Sequence, residues 1–175
     1  MATAGEIGKQ LVTRTPEVAG GLLRQLIDFG IDGNDTFPGA RAAASRKLQD
    51  RGDRELAIDA LITSHIGLAS AQGFATSVGG LLTLPIGLPA NLAGMAVLSV
   101  RMVAGVAHLR GYDVTDRRVR AAVALAILGE EEIHKLMTAG KLPTTPLAVA
   151  TAPVFDPELE RTISERVAGW LSGRI

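Results

Sequence analysis

The chain of 175 residues contains no cysteine. That excludes disulfides, a thiolate nucleophile and Cys-ligated zinc, and it fits a reducing compartment. Aromatic residues are nearly as scarce, at 3% against 47% hydrophobic residues overall. A core built from Ala, Leu, Ile and Val favours closely packed helices over a strand-rich sandwich. An excess of one charge is lacking too: 18 basic residues balance 18 acidic ones, so no global field recruits nucleic acid. The opening stretch MATAGEIGKQLVTRTPEVAG has no apolar centre of signal-peptide length. The expected location is cytoplasmic, and the length suits one domain over 1–175.

Catalytic patterns are sparse as well. Glu131-Glu132-Ile133-His134 contains one Glu-x-x-His, but a four-helix diiron site needs two such motifs and further Glu residues. A charged helix start is the better reading. His65, His108 and His134 lack metal-ligand spacing. Neither a phosphate-binding G-x4-G-K-[ST] loop nor G-x-S-x-G is present. Ser70, Ser77 and Ser99 have no base nearby in sequence. No catalytic residue, metal site or cofactor is expected.

What the chain does have is helical patterning. After Pro16, Val18, Leu22, Leu26 and Phe29 fall at helical spacing. A Gly/Asp/Asn-rich loop is expected over 30–39, then a short exposed helix, ARAAASRKLQD, ending near Gly52. Asp53 is placed to cap the next helix, whose apolar side begins at Leu56, Ala60, Ile62 and Ile66. Gly111 reads as a helix stop and Thr115 as the cap of TDRRVRAAVALAILG. In that segment Val119, Ala122, Val123, Ala126 and Ile127 form one face, and Asp116 can pair with Arg120 at i,i+4. A linker is expected over 142–153, followed by a C-terminal helix over 154–175 with Asp156 as cap.

One stretch stands apart. From Ile66 to Val100 there is no charged residue, and Pro85 and Pro89 split the run. As a helix its first arm, 66–84, would be about 28 Å long, close to a hydrocarbon core of about 30 Å. The second arm reaches Arg101 after only about three turns, which would place that charge in mid-membrane at about 2.5–3.5 kcal/mol or more. Two membrane spans are therefore disfavoured. Ala71, Ala75 and Gly79 lie four apart, as do Ala90 and Gly94, and such stripes let helix backbones approach. The expectation is an antiparallel pair, 66–84 with 90–109, at the centre of an all-α domain. Gly79, Gly80, Pro85, Gly87 and Pro89 shape its turn. Around that turn Phe74, Leu81, Leu82, Leu84, Ile86 and Leu88 form an apolar cluster, either buried in the core or exposed to a lipid or apolar ligand. Arg101, Arg110, Arg117, Arg118 and Arg120 crowd one nearby window. They are read either as a basic surface facing anionic lipid or as a solvated face with local ion pairs.

The order Gly73-Phe74, Gly79-Gly80, the segment Leu84 to Leu92, Arg101, and Ala107 to Asp113 resembles the EcsC-type family, over residues 56–128. The resemblance implies an all-helical, hydrophobic bacterial protein without clear membrane spans, from a family named for its association with a transporter operon. It implies no particular reaction. It also leads us to expect a second small Pro/Gly-rich apolar segment toward the C-terminus, which WLSGRI does not supply. The first expectation for function is a non-catalytic accessory protein, peripheral to the inner face of a membrane, that binds lipid or an apolar ligand. The second is a soluble helical adaptor for a protein partner, such as a transporter or a second copy. An enzyme without a recognisable motif comes last.

Overall fold

A computed structural model describes residues 16–79 and 90–171. Eight helices carry these residues: α1 (Pro16–Asp32), α2 (Ala40–Arg51), α3 (Arg54–Gly79), α4 (Ala90–Leu109), α5 (Arg117–Ala126), α6 (Glu130–Thr138), α7 (Pro146–Ala150) and α8 (Pro157–Leu171). No strand occurs among the described residues; an isolated bridge joins Gly33 to Pro38. The fold is all-α.

Local chemistry sets most helix boundaries. The Asp53 carboxylate accepts from the Leu56 amide at the start of α3. Asp156 accepts from Glu158 and Leu159 at the start of α8. Such caps satisfy amides that have no partner within the helix. The cap of α5 is Asp116, which accepts from the Arg118 amide. Thr115 instead donates its hydroxyl and amide to Asp113, so the expected cap is displaced by one residue. Gly111 ends the α4 segment at φ +91°, as expected of a helix stop, and Gly52 ends α2 at φ +67°. A side chain at either position meets open space, so both impose the same left-handed cost and no other. Gly111→Val and Gly52→Val should each lose about 1–2 kcal/mol in denaturant titrations. A difference of more than about that size would show one of the two helix ends to be held differently.

Helix α4 organises the packing, with α1, α2, α3 and α5 all against it. Beyond it α5 meets α7 and α8, and α1 also meets α8. Five of the six residues from Ala121 to Ala126 are buried, and Val119 is buried too. So the second half of α5 is enclosed by the core, while Arg117, Arg118 and Arg120 occupy its less buried start. The face of α1 that is buried carries Leu23, Ile27 and Ile31. Of the expected stripe, Leu26 packs partly against this core and Phe29 is exposed, while the side chains of Val18 and Leu22 lie outside the described ones. Helix α2 is likewise not wholly exposed: Ala40 and Ala44 are fully buried. The expected linker contains α7, capped by Thr145, and buries Leu142 and Val149.

Helices α3 and α4 are antiparallel neighbours. Leu109, near the end of α4, shares a core cluster with Ala57, Ile58 and Leu61 of early α3, and Arg110 pairs with Glu55. Among the described residues they approach closely at Gly105, where an added Cβ would stand 2.8 Å from Leu61 Cδ2. This contact does not involve Ala71, which is exposed. Gly94 is partly buried. Ala75, Gly79 and Ala90 have side-chain positions outside the described ones.

Candidate functional site: the distal α3–α4 pair and its base

The uncharged run begins where α3 leaves the core. Leu61 is fully buried and His65 is 4% exposed, whereas Ile66 and Leu68 are 59% and 48% exposed. On α4, Met95 is 42% exposed while Ala96, Val97 and Leu98 are covered. The pair therefore presents large apolar side chains beyond the core, in a stretch without a charge. Among the described residues, no helix is long and apolar enough to cross a membrane. The expected tip residues Gly80, Leu81, Leu82, Leu84, Pro85, Ile86, Leu88, Gly87 and Pro89 lie outside the described residues, as does the Phe74 side chain.

At the base of this pair sit two buried polar groups that sequence reading had not paired. Leu61 meets Gly105, and one turn further along each antiparallel helix come His65 and Arg101. His65 Nδ1 donates to the Leu61 carbonyl at 2.8 Å, while its Nε2 is buried and has no partner. Arg101 is 9% exposed, and its Nε also has no partner. Its guanidinium carbon lies 4.4 Å from the centre of the Phe37 ring. Phe37 stacks in turn on Phe29 at 5.5 Å. The loop over 33–39 presents Phe37: Asn34 Oδ1 accepts from the Thr36 and Phe37 amides, and the Asn34 amide donates to the Phe37 carbonyl.

Burial holds the His65 imidazole below its ordinary pKa of 6.5; its bond to Leu61 opposes this, and the charges of Arg101 and Lys47 add to it. The folded state thus binds a proton less readily than the unfolded chain. His65 then costs nothing above pH 6.5, and stability falls as pH drops below it, by at most about 1.4 kcal/mol per pH unit. Denaturant titrations from pH 7.5 to 5 should show this slope in the parent and lose it in His65→Gln. Equal slopes would mean that His65 is protonated freely in the folded protein.

The other four arginines of the expected basic surface are neutralised. Arg110 forms a two-pronged pair with Glu55. Arg117 donates to Glu160 at 2.8 Å and lies over Phe155. Arg118 pairs with Asp116 and donates to the Ala152 carbonyl. Arg120 does not pair with Asp116 but reaches across to α1, meeting Asp28 and Asp32 at 2.7 Å each. Its Nε donates to the Val114 carbonyl. These four are ion-paired, but only Arg118 locally; the others meet acids distant in sequence, and Arg101 is buried rather than on a surface. Because Arg120 spreads its planar fork over two carboxylates of α1 and the Val114 carbonyl, Arg120→Lys should lose about 1–2 kcal/mol despite keeping the charge. Thermal melts that leave Arg120→Lys equal to the parent would reduce the contact to a surface pair.

Clefts lie elsewhere among the described residues too. One of about 300 Å³ joins Asp28, Arg117, Arg120 and Glu160, whose charges already match. A groove of about 650 Å³ runs past Glu131, His134 and Thr145, and one of about 420 Å³ past Arg41, His108 and Asp113. Among the described residues, no group of three or more His, Asp or Glu side chains is placed to hold a metal ion. Glu131 does not join His134; it pairs with Lys135 within the acidic first turn of α6. Comparison with family models, curated proteins and solved structures finds no match to this chain.

Proposed function

We propose that the protein is a non-catalytic accessory factor of the EcsC type that works at a membrane surface, with the distal α3–α4 pair entering the apolar layer of one leaflet. The observation that carries this reading is the exposure of Ile66, Leu68 and Met95 within a run that holds no charge. Large apolar side chains exposed along a charge-free stretch favour an interaction site where they join into one patch. The dimensions support a leaflet. From Arg101 back to Ala90, α4 is about 16 Å long, about half of a 30 Å hydrocarbon core. That depth lets the apolar arms enter while Arg101 stays at the boundary, and it removes the mid-membrane charge that disfavours a full span.

Flotation with phosphatidylcholine vesicles tests the reading directly. The protein should float with them at low salt and at high salt alike, because apolar burial is not screened. A protein that stays in the dense fraction but elutes as a dimer would transfer the apolar face to a second copy.

A further inference from the structure

We infer that the base of the α3–α4 pair is a phosphate-binding site, in which Arg101 and His65, with Arg46 and Lys47 of α2, hold the phosphate group of a lipid headgroup or of a free phosphate compound. Arg101 is the exception in its own window. Arg110, Arg117, Arg118 and Arg120 each have a carboxylate partner, whereas Arg101 has none among the described residues and is more deeply buried than any of them. A buried cation without a counter-charge is costly. Its surroundings make this worse, since the charge of Arg46 bears on Arg101, and those of Lys47 and Arg101 bear on His65. Among the described residues, no ion pair neutralises Arg46 or Lys47 either. The charges of Arg46, Lys47 and Arg101 thus bear on this base with no ion pair opposing them among the described residues, and Arg101 and His65 each have a buried nitrogen with no partner.

A phosphate supplies what is lacking. It brings about one to two negative charges and several strong acceptor oxygens. A guanidinium held on an aromatic face offers it the planar fork that suits phosphate. Once protonated, His65 adds Nε2–H as a second donor, while Nδ1 remains on the Leu61 carbonyl. Position favours a lipid source. The site lies where the uncharged run begins, at the level that headgroups occupy around an inserted hairpin; this last step rests on the proposed membrane reading, but the cation cluster does not.

Inorganic phosphate, phosphatidylcholine vesicles and the same vesicles containing phosphatidate separate the sources. Calorimetric titration should show inorganic phosphate binding to the parent, and Arg101→Gln should lower its affinity at least tenfold. The same variant should lose the extra affinity that phosphatidate confers through its uncapped, doubly ionisable phosphate, yet keep its binding to pure phosphatidylcholine, whose phosphodiester is capped by choline and brings no net charge to the site. Gains with phosphatidate alone would assign the site to lipid headgroups; gains with both probes would assign it to phosphate compounds generally. A parent that responds to neither, or an Arg101→Gln protein that responds as the parent does, overturns the proposal. If Arg101→Gln does not fold, Arg46→Gln/Lys47→Gln decides, with a loss of about threefold expected and an unchanged affinity overturning the site. Failure of the parent on pure phosphatidylcholine would count against the hairpin reading only.

Discussion

Gly33→Val is expected to destabilise the protein by about 3 kcal/mol or more, well beyond the loss from the same change at Gly52. Both glycines have a left-handed backbone, with φ +69° and +67°, so both substitutions carry a conformational cost of about 1–2 kcal/mol. The difference lies in what a Cβ would meet. At Gly52 there is nothing within 4 Å. At Gly33 it would stand 2.3 Å from both the Gly39 amide nitrogen and the Phe37 carbonyl oxygen. These are backbone atoms, and no rotamer change relieves the clash. Gly39 is locked reciprocally, since its own Cβ would stand 2.4 Å from the Ile31 carbonyl. Overpacking adds about 1–3 kcal/mol to the conformational term. Urea titration measures both variants, and comparable midpoints would mean that the 33–39 loop opens at little cost. Because that loop presents Phe37 to Arg101, Gly33→Val should also weaken phosphate binding more than Gly52→Val does.

The features of this fold that were legible in the sequence are those decided within a few residues. Asp53 and Asp156 cap their helices, and Gly111 ends one, because a carboxylate two or three residues from free amides, or a residue without Cβ, acts locally. What eluded the sequence depends on the partner across a contact. Phe29 continues a helical stripe in the sequence as well as Ile27 and Ile31 do, and the local pattern alone does not say which side of α1 meets α4, where Val100 lies against Gly30. Arg120 had a suitable acid four residues away in Asp116, yet Asp116 was taken by helix capping and by Arg118. Two carboxylates on α1 then outcompeted it. The five-arginine window looked basic because its counter-charges come from Glu55, Glu160, Asp28 and Asp32, which are distant in sequence. Arg101 could be found as the unpaired member only after those partners were known. The uncharged run itself was plain from the start, since a missing charge needs no partner to be seen.

The largest effect on function is expected from that run. Ile66→Asp/Leu68→Asp/Met95→Asp should reduce binding to phosphatidylcholine vesicles by more than a hundredfold, which corresponds to about 2.8 kcal/mol. Each of these side chains contributes about 25 cal/mol per Å² of apolar surface that it buries in lipid. Each aspartate would also have to enter the apolar layer charged or take up a proton, a further cost. The fold itself should change little, because all three positions are among the exposed large hydrophobics and exposed substitutions usually stay within about 0.5 kcal/mol. Helicity and melting temperature are therefore the internal control. Leu82→Asp/Leu88→Asp should reduce binding at least tenfold by the same physics, and its melt asks whether the turn is core or contact. A parent-like melt with binding lost assigns the turn to the lipid side, whereas a collapsed melt assigns it to the core. If instead the triple variant keeps both its fold and its vesicle binding, the distal pair does not meet lipid. An adaptor that uses another face would then be the better account of the protein.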